Sequence, residues 1–107
     1  MAYQLEITSR ANECLVDIVD YLYYHVGGVG NPVAAIKFLV EYEHALDVLT
    51  HQAESFGILS EKGLAEYGYR KIRFKTLHYK IFYRVQDENV IIDLITHDLQ
   101  DYKSFLL

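Results

Sequence analysis

The chain has 107 residues, 51% of them hydrophobic, and a formal net charge of −5 at neutral pH. This length and composition suit one domain with its own core, so we interpret residues 1–107 as a single domain. The single cysteine excludes an internal disulfide framework, the lack of about 18 consecutive apolar residues argues against a membrane span, and the acidic balance argues against a surface that binds nucleic acid throughout.

The N-terminal segment predicts a short strand followed by an amphipathic helix. Residues 3–7 alternate apolar and polar side chains, which is typical of a half-buried strand. Thr8 or Ser9 is suited to cap the helix that follows. Its apolar side chains recur at steps of three and four residues: Ala11, Leu15, Ile18, Leu22 and Val26. The segment lacks the features of a secretory signal, and we expect a cytoplasmic protein.

The stretch GGVGNP, residues 27–32, predicts the end of one helix and the start of another. Asn31 suits a helix cap and Pro32 suits a first helical turn. A second apolar stripe predicts a helix over Val33–Thr50, so the two helices should form an antiparallel hairpin. His44 and His51 have no third candidate ligand near them in the sequence, and we expect exposed histidines, with no metal or other cofactor.

Three strands are predicted after an irregular loop. Periodicity fades over His51–Gly68, and aromatic and β-branched residues then become dense. The predicted strands are Tyr69–Lys75, Tyr79–Gln86 and Val90–His97, and a short tail over Tyr102–Leu107 follows them. The expected fold class is therefore α+β, in which a long helical hairpin packs on a small antiparallel sheet of the three C-terminal strands plus the N-terminal strand.

The last two strands predict a hairpin with a two-residue loop at Asp87 and Glu88. This loop sets the pairing on each face. The apolar face should pair Val85 with Val90, Tyr83 with Ile92, Ile81 with Leu94 and Tyr79 with Thr96. The other face should pair Arg84 with Ile91, Phe82 with Asp93, Lys80 with Ile95 and His78 with His97. A slip of one residue in the last strand would turn His97 toward the core.

Basic residues concentrate on this part of the chain, since residues 70–84 hold six of the ten Lys and Arg residues and no acidic residue. The expected register gathers cations and one imidazole on the sheet face that points away from the helices: Lys71, Arg73, Lys75, Lys80, Arg84 and His97. This pattern is compatible with a solvated face that blunts sheet edges. It is also compatible with a surface that binds anions and moves protons.

Four segments, in this order, resemble the RelE/ParE superfamily of toxins from bacterial type II toxin–antitoxin systems. ANECLVDIVDYL resembles the first helix of that family, and NPVAAIKFLVEYEHALDVL resembles the second. HYKIFYRV resembles the central strand. NVIIDLITHDLQD resembles the last strand, in which an apolar run ends on His97 and Asp101 follows. The resemblance spans nearly the whole chain and implies a cytoplasmic toxin that inhibits growth and is silenced by a cognate antitoxin.

The resemblance leaves two molecular targets open. RelE-like members are endoribonucleases that cut messenger RNA on the ribosome, which requires a base, an acid and cations that stabilise the phosphorane. That activity would give charge stabilisation to Arg73 and Arg84, proton transfer to His97 and base stacking to Tyr102. ParE-like members bind DNA gyrase and are not nucleases. In either case the remaining cations would bind the target: Lys71, Lys75 and Lys80.

Three features favour the ParE branch: the long helical hairpin, the Asn-Pro start of the second helix and the His-x-x-x-Asp ending. The family usually places arginine between His97 and Asp101, whereas this chain has Asp98, Leu99 and Gln100. Asp98 beside His97 should repel phosphate locally, which weakens the nuclease hypothesis. The missing arginine also motivates a third hypothesis, in which the fold persists without toxicity. An exposed apolar groove would additionally predict a homodimer.

Overall fold

The computed structural model describes residues 2–24, 31–59 and 65–98. Strand β1 (Gln4–Ile7) is followed by helices α1 (Ser9–Tyr24) and α2 (Pro32–Gln52). Two short 3-10 turns, Ala53–Ser55 and Ala65–Tyr67, precede three strands. These are β2 (Arg70–Arg73), β3 (Tyr79–Gln86) and β4 (Asn89–His97). The predicted α+β class is confirmed; Val26, the break at residues 27–30 and the C-terminal tail lie outside the described residues.

Side chains cap both helices where the sequence predicts it. The hydroxyl of Thr8 accepts a hydrogen bond from the backbone N–H of Ala11 at 3.1 Å. The side chain of Asn31 accepts one from the N–H of Ala34 at 3.1 Å, and Pro32 occupies the first turn of α2. These bonds satisfy N–H groups that a helix start leaves without partners, so both boundaries are determined locally.

The strands form one sheet in the order β1-β4-β3-β2. β1 runs parallel to β4, whereas β4 with β3 and β3 with β2 are antiparallel. The main core lies between this sheet and the helices, on what we call the core face. Its largest fully buried side chains from α2 and the sheet include Phe38, Leu49, Ile81, Tyr83 and Ile92. The hydroxyl of Tyr83 donates to the carbonyl of Ala53 at 2.7 Å.

The hairpin register is as predicted near the turn and shifts beyond it. Asp87 adopts a φ of 55°, a left-handed conformation that Asp tolerates better than most residues. Val85 pairs with Val90 and Tyr83 pairs with Ile92, as expected. The pairing then slips by one between Phe82 and Tyr83, because Asp93 is an extra residue in β4.

The expected pairs beyond the slip are therefore wrong. Lys80 pairs with Thr96 and Tyr79 pairs with His97, in place of Lys80 with Ile95 and Tyr79 with Thr96. The bulge reverses the alternation of the last part of β4, so that Ile95 and His97 face the helices. The other side of the sheet, which we call the outer face, now receives Leu94 and Thr96.

The outer face is partly covered by the chain before β2. Leu59 and Tyr69 pack on Phe82 and Leu94 there, and together they form a second buried cluster. Leu59 is held by a hydrogen bond from its N–H to the carbonyl of Tyr69 at 2.8 Å. The expected solvated face is thus apolar over part of its area, which leaves the cations at its margins.

Candidate functional site

Four basic side chains belong to the outer face by register. Arg73 pairs with Lys80, and Lys71 pairs with Phe82 of the outer cluster. Arg84 joins them because it stands two residues from Phe82 on the same strand. We call this group the cationic face: Lys71, Arg73, Lys80 and Arg84. Lys75 lies beyond the end of β2, where it is exposed.

Asp98 neutralises one end of the cationic face. Its carboxylate lies 3.4 Å from Nη1 of Arg73, 3.7 Å from Nδ1 of His78 and 4.0 Å from Nζ of Lys80. Lys80 is only 5% exposed and its ammonium also lies 5.8 Å from the ring centroid of Phe82. A buried ammonium is stable only with such compensating partners.

Arg84 is held by the second cluster. Its guanidinium carbon lies 5.5 Å from the ring centroid of Tyr69, which is a cation–π geometry. Tyr69 in turn donates its hydroxyl to Asp93 at 2.5 Å, and Arg10 of α1 reaches the same Asp93 oxygen at 2.7 Å. Burial raises the pKa of the Tyr69 hydroxyl, and its hydrogen bond to Asp93 raises it further. This network anchors the bulge to α1 and to the chain before β2.

His97 lies on the core face, opposite to the predicted position. Its ring stands perpendicular to that of Tyr79, with centroids 5.2 Å apart. Both side chains line a pocket of about 400 Å³ together with Asp17, Ile18 and Tyr21 of α1. The prediction that His97 joins the cations on the outer face is therefore wrong, because the bulge at Asp93 places the His97 side chain on the opposite face of the sheet.

The four residues expected to form a nuclease site are not assembled in the part of the chain that the structure describes. Arg73 and Arg84 share the outer face, His97 faces the helices, and Tyr102 lies outside the described residues. The residue that decides this arrangement is Asp93, a carboxylate in the middle of an otherwise apolar strand. A polar residue at that position was the available signal for an irregularity in the pairing.

A groove runs along the free side of β2, and sequence reasoning missed it. It has a volume of about 500 Å³ and lies between α2 and the edge strand. Apolar side chains line it: Ala45, Val48, Phe56 and Ile72. Polar ones flank it: Glu41, His44, Lys71, Arg73 and Lys75. Among the described residues this edge of β2 is paired only by the bridge between Ile58 and Arg70, so we call the feature the β2 groove.

Glu41 holds one end of the β2 groove in place. Its carboxylate accepts hydrogen bonds from the N–H of Thr76 at 2.9 Å and of Leu77 at 3.0 Å, and also from the Thr76 hydroxyl. Burial raises the pKa of Glu41, but these bonds and the charge of Lys37 outweigh it and hold the pKa below its usual value. The ionised carboxylate thus ties the β2–β3 connection to α2.

No group of three or more His, Cys, Asp or Glu residues arranged for a metal occurs within residues 2–24, 31–59 and 65–98. His51 lies 3.9 Å from Asp47 on the exposed surface of α2. None of the described helices is long and apolar enough to cross a bilayer.

Solved structures confirm the fold. One is the chromosomal ParDE toxin–antitoxin system from P. aeruginosa, with a TM-score of 0.70 and 19% identity over 90% of this chain and 96% of that one. Another is the RelBE2 toxin–antitoxin complex from Mycobacterium tuberculosis, with a TM-score of 0.59 and 19% identity over 91% and 99%. The isolated E. coli RelE toxin has a TM-score of 0.54 and 17% identity over 97% and 93%.

The fold is thus that of the RelE/ParE superfamily of toxins. No curated protein sequence gives a significant match. The family model of the ParE toxin of type II toxin–antitoxin systems matches residues 5–102. The chain therefore belongs to the ParE toxin family of type II toxin–antitoxin systems.

Proposed function

We propose that this toxin arrests bacterial growth in the cytoplasm by binding DNA gyrase, without catalysing a reaction itself. The observation that carries the proposal is the position of His97, which faces α1 while Arg73 and Arg84 lie on the outer face. Cleavage of RNA needs a proton carrier within hydrogen-bond reach of the ribose 2′-hydroxyl, and the cations must bind the adjacent phosphate at the same time. Side chains on opposite faces of one sheet do not meet this requirement.

The charges on the outer face further favour binding over catalysis. Asp98 lies within 4.0 Å of Arg73, His78 and Lys80, and it competes there with any phosphate. The guanidinium of Arg84 makes a cation–π contact with the Tyr69 ring. The exposed cations, Lys75 and Arg73 among them, stand near the β2 groove and suit a protein partner with acidic side chains.

We assign the β2 groove to the cognate antitoxin. An edge strand with unpaired backbone groups is a template for an added strand, which supplies hydrogen bonds independently of sequence. Apolar side chains of that strand would pack against Val48, Phe56 and Ile72, and its acidic side chains would form ion pairs with the flanking cations. The antitoxin segment should therefore alternate apolar and acidic residues.

Two assays with purified toxin distinguish the possible targets. Supercoiled DNA is incubated with gyrase and the toxin, and translating ribosomes are incubated with a reporter message and the toxin. We expect gyrase to cleave the DNA in the presence of the toxin while the messenger RNA stays intact. The His97→Ala variant should cause the same amount of DNA cleavage by gyrase. Message cleavage that disappears in His97→Ala would instead support a ribosome-dependent RNA-cleaving toxin. Normal growth on induction, with neither activity, would mean that the fold persists without toxicity.

An introduced negative charge tests the antitoxin assignment separately. His44→Glu, which places a carboxylate in the β2 groove, should weaken neutralisation by the co-expressed antitoxin while growth inhibition by the toxin alone stays intact. His51→Glu, which makes the same substitution at an exposed position of α2 away from the residues that line the groove, is the control and should leave neutralisation unchanged. Equal neutralisation of both variants and the unmodified toxin would place the antitoxin elsewhere.

A further inference from the structure

The pocket around His97 is a feature of the core face to which the proposed function assigns no ligand. It has a volume of about 400 Å³ and lies between α1 and the region where β3 begins and β4 ends. Five side chains line it: Asp17, Ile18 and Tyr21 from α1, Tyr79 from β3 and His97 from β4. Asp17 and Tyr21 share one side of α1 because they are four residues apart, and Tyr79 pairs with His97 across the two strands. The helix and the sheet therefore build the pocket together.

Three of the five lining side chains carry aromatic rings. The rings of Tyr79 and His97 are perpendicular, with centroids 5.2 Å apart. Phe38 contacts Tyr79 at a centroid distance of 4.9 Å, so the core fixes the orientation of the Tyr79 ring. Burial raises the pKa of the Tyr79 hydroxyl, and the neighbouring Tyr21 raises it further. The faces of such aromatic rings attract cations.

Asp17 gives the pocket a negative charge. Among the described residues that line the pocket, it is the only carboxylate, and none of them is a lysine or an arginine. Glu13 and Asp20 are exposed and lie four and three residues from Asp17, so they extend the negative charge along α1. The single basic residue of this helix, Arg10, is paired with Asp93 at 2.7 Å. The electrostatic field at the pocket thus favours a cation.

The chemistry of the lining groups indicates what kind of cation fits. One carboxylate and one imidazole are fewer ligands than a structural metal ion requires. An ammonium group donates three hydrogen bonds, and the Asp17 carboxylate and the tyrosine hydroxyls are acceptors for them. Ile18 and the Tyr79 ring supply an apolar surface on which the methylene groups of an alkyl chain can pack. These properties together match a primary amine on a short alkyl chain.

We propose that the pocket between Asp17, Ile18, Tyr21, Tyr79 and His97 binds an alkylammonium group. The same group is presented by a small free amine and by the side chain of a lysine. The proposal goes beyond the action on gyrase and does not depend on it, because it concerns binding by the toxin alone. It also concerns the face of the sheet opposite to the cationic face.

An NMR titration of the purified toxin with n-butylammonium chloride, at constant ionic strength, tests the proposal. The ring protons of Tyr79 and His97 should shift in a saturable manner. The neutral ligand 1-butanol, which has the same chain length, should bind roughly threefold to tenfold more weakly, because it lacks the cation–π contacts and the ion pair. A titration without saturable shifts, or equal binding of the two ligands, would overturn the proposal.

Substitutions of two exposed lining residues separate the contributions of charge and ring. Asp17→Asn should weaken butylammonium binding about threefold to fivefold, as expected for an exposed ion pair, and should leave 1-butanol binding unchanged. Tyr21→Leu keeps an apolar side chain but removes the ring, and it should weaken butylammonium binding about threefold. Both side chains are exposed, so both variants should fold.

Two substitutions outside the pocket are matched controls. Asp47→Asn makes the same charge change at an exposed position of α2, and Tyr24→Leu makes the same change of side chain at an exposed position of α1. Both should leave butylammonium affinity unchanged, and losses as large as those of the pocket variants would overturn the proposal. A Gly-Lys-Gly peptide with blocked ends identifies the source of the group. Tighter binding of this peptide than of butylammonium indicates a lysine side chain, and equal or weaker binding indicates a free amine.

Discussion

Glu41 offers the sharpest test of how the β2–β3 connection is held. Glu41→Gln keeps the shape of the side chain but replaces an ionised acceptor with an amide that also carries donors. Three hydrogen bonds depend on the carboxylate: two from the N–H groups of Thr76 and Leu77 and one from the hydroxyl of Thr76. A hydrogen bond to a charged group contributes about 1.5–3 kcal/mol. Because Thr76 is exposed and water can replace part of the loss, we expect the free energy of unfolding to fall by about 2 kcal/mol.

Urea unfolding at neutral pH measures this change, with Glu43→Gln as a control on the exposed side of the same helix. The control should stay within about 0.5 kcal/mol of the unmodified protein. Equal stability of Glu41→Gln and the control would refute the role assigned to the carboxylate.

The pH dependence provides an independent check on Glu41. Its pKa is below the usual value of 4.5, because its hydrogen bonds from Thr76 and Leu77 and the charge of Lys37 outweigh the effect of burial. Its stabilising contribution is therefore complete above the unfolded pKa and is lost as the pH falls through the lower folded pKa. The stability gap between the unmodified protein and Glu41→Gln should close in acid. A gap that persists there would mean that the charge is not the cause.

Two other buried hydrogen-bonded groups give predictions of stability. Tyr83→Phe removes the hydroxyl that donates to Ala53 and leaves that carbonyl unpaired, which should cost about 1–2 kcal/mol in urea unfolding; an unchanged midpoint would contradict this. Asp93→Asn removes the negative charge that pairs with Arg10 and Tyr69 and, because the Arg10 side chain is 41% exposed, should cost about 1–2 kcal/mol. It should also lower the pKa of Tyr69, because the hydrogen bond to Asp93 and the charge of Asp93 raise that pKa. A spectroscopic titration that shows no decrease would count against the network.

Most of the fold follows from local signals. Apolar residues at three- and four-residue steps specify both helices, and Thr8 and Asn31 determine where they begin. The turn at Asp87 and the first pairs of the hairpin follow from loop length. These features are predictable because each depends on residues that are near one another in the sequence.

The site was less predictable because it depends on one bulge. The stretch NVIIDLITH carries apolar residues on both faces, so its pattern does not reveal where the alternation reverses. The bulge is stabilised by Arg10 and Tyr69, which are 83 and 24 residues away from Asp93. Glu41 was a missed signal of another kind, since a carboxylate between Phe38 and Ala45 interrupts the buried stripe of α2.

The central claim is that His97 and the cationic face lie on opposite sides of the sheet. Nuclear Overhauser contacts from the His97 ring protons in the purified toxin test it most directly. We expect contacts to the Tyr79 ring and to the methyl groups of Ile18, the neighbours that line its pocket. Contacts from His97 to His78 or to the side chain of Lys80 would contradict the account and would bring the histidine back beside the arginines.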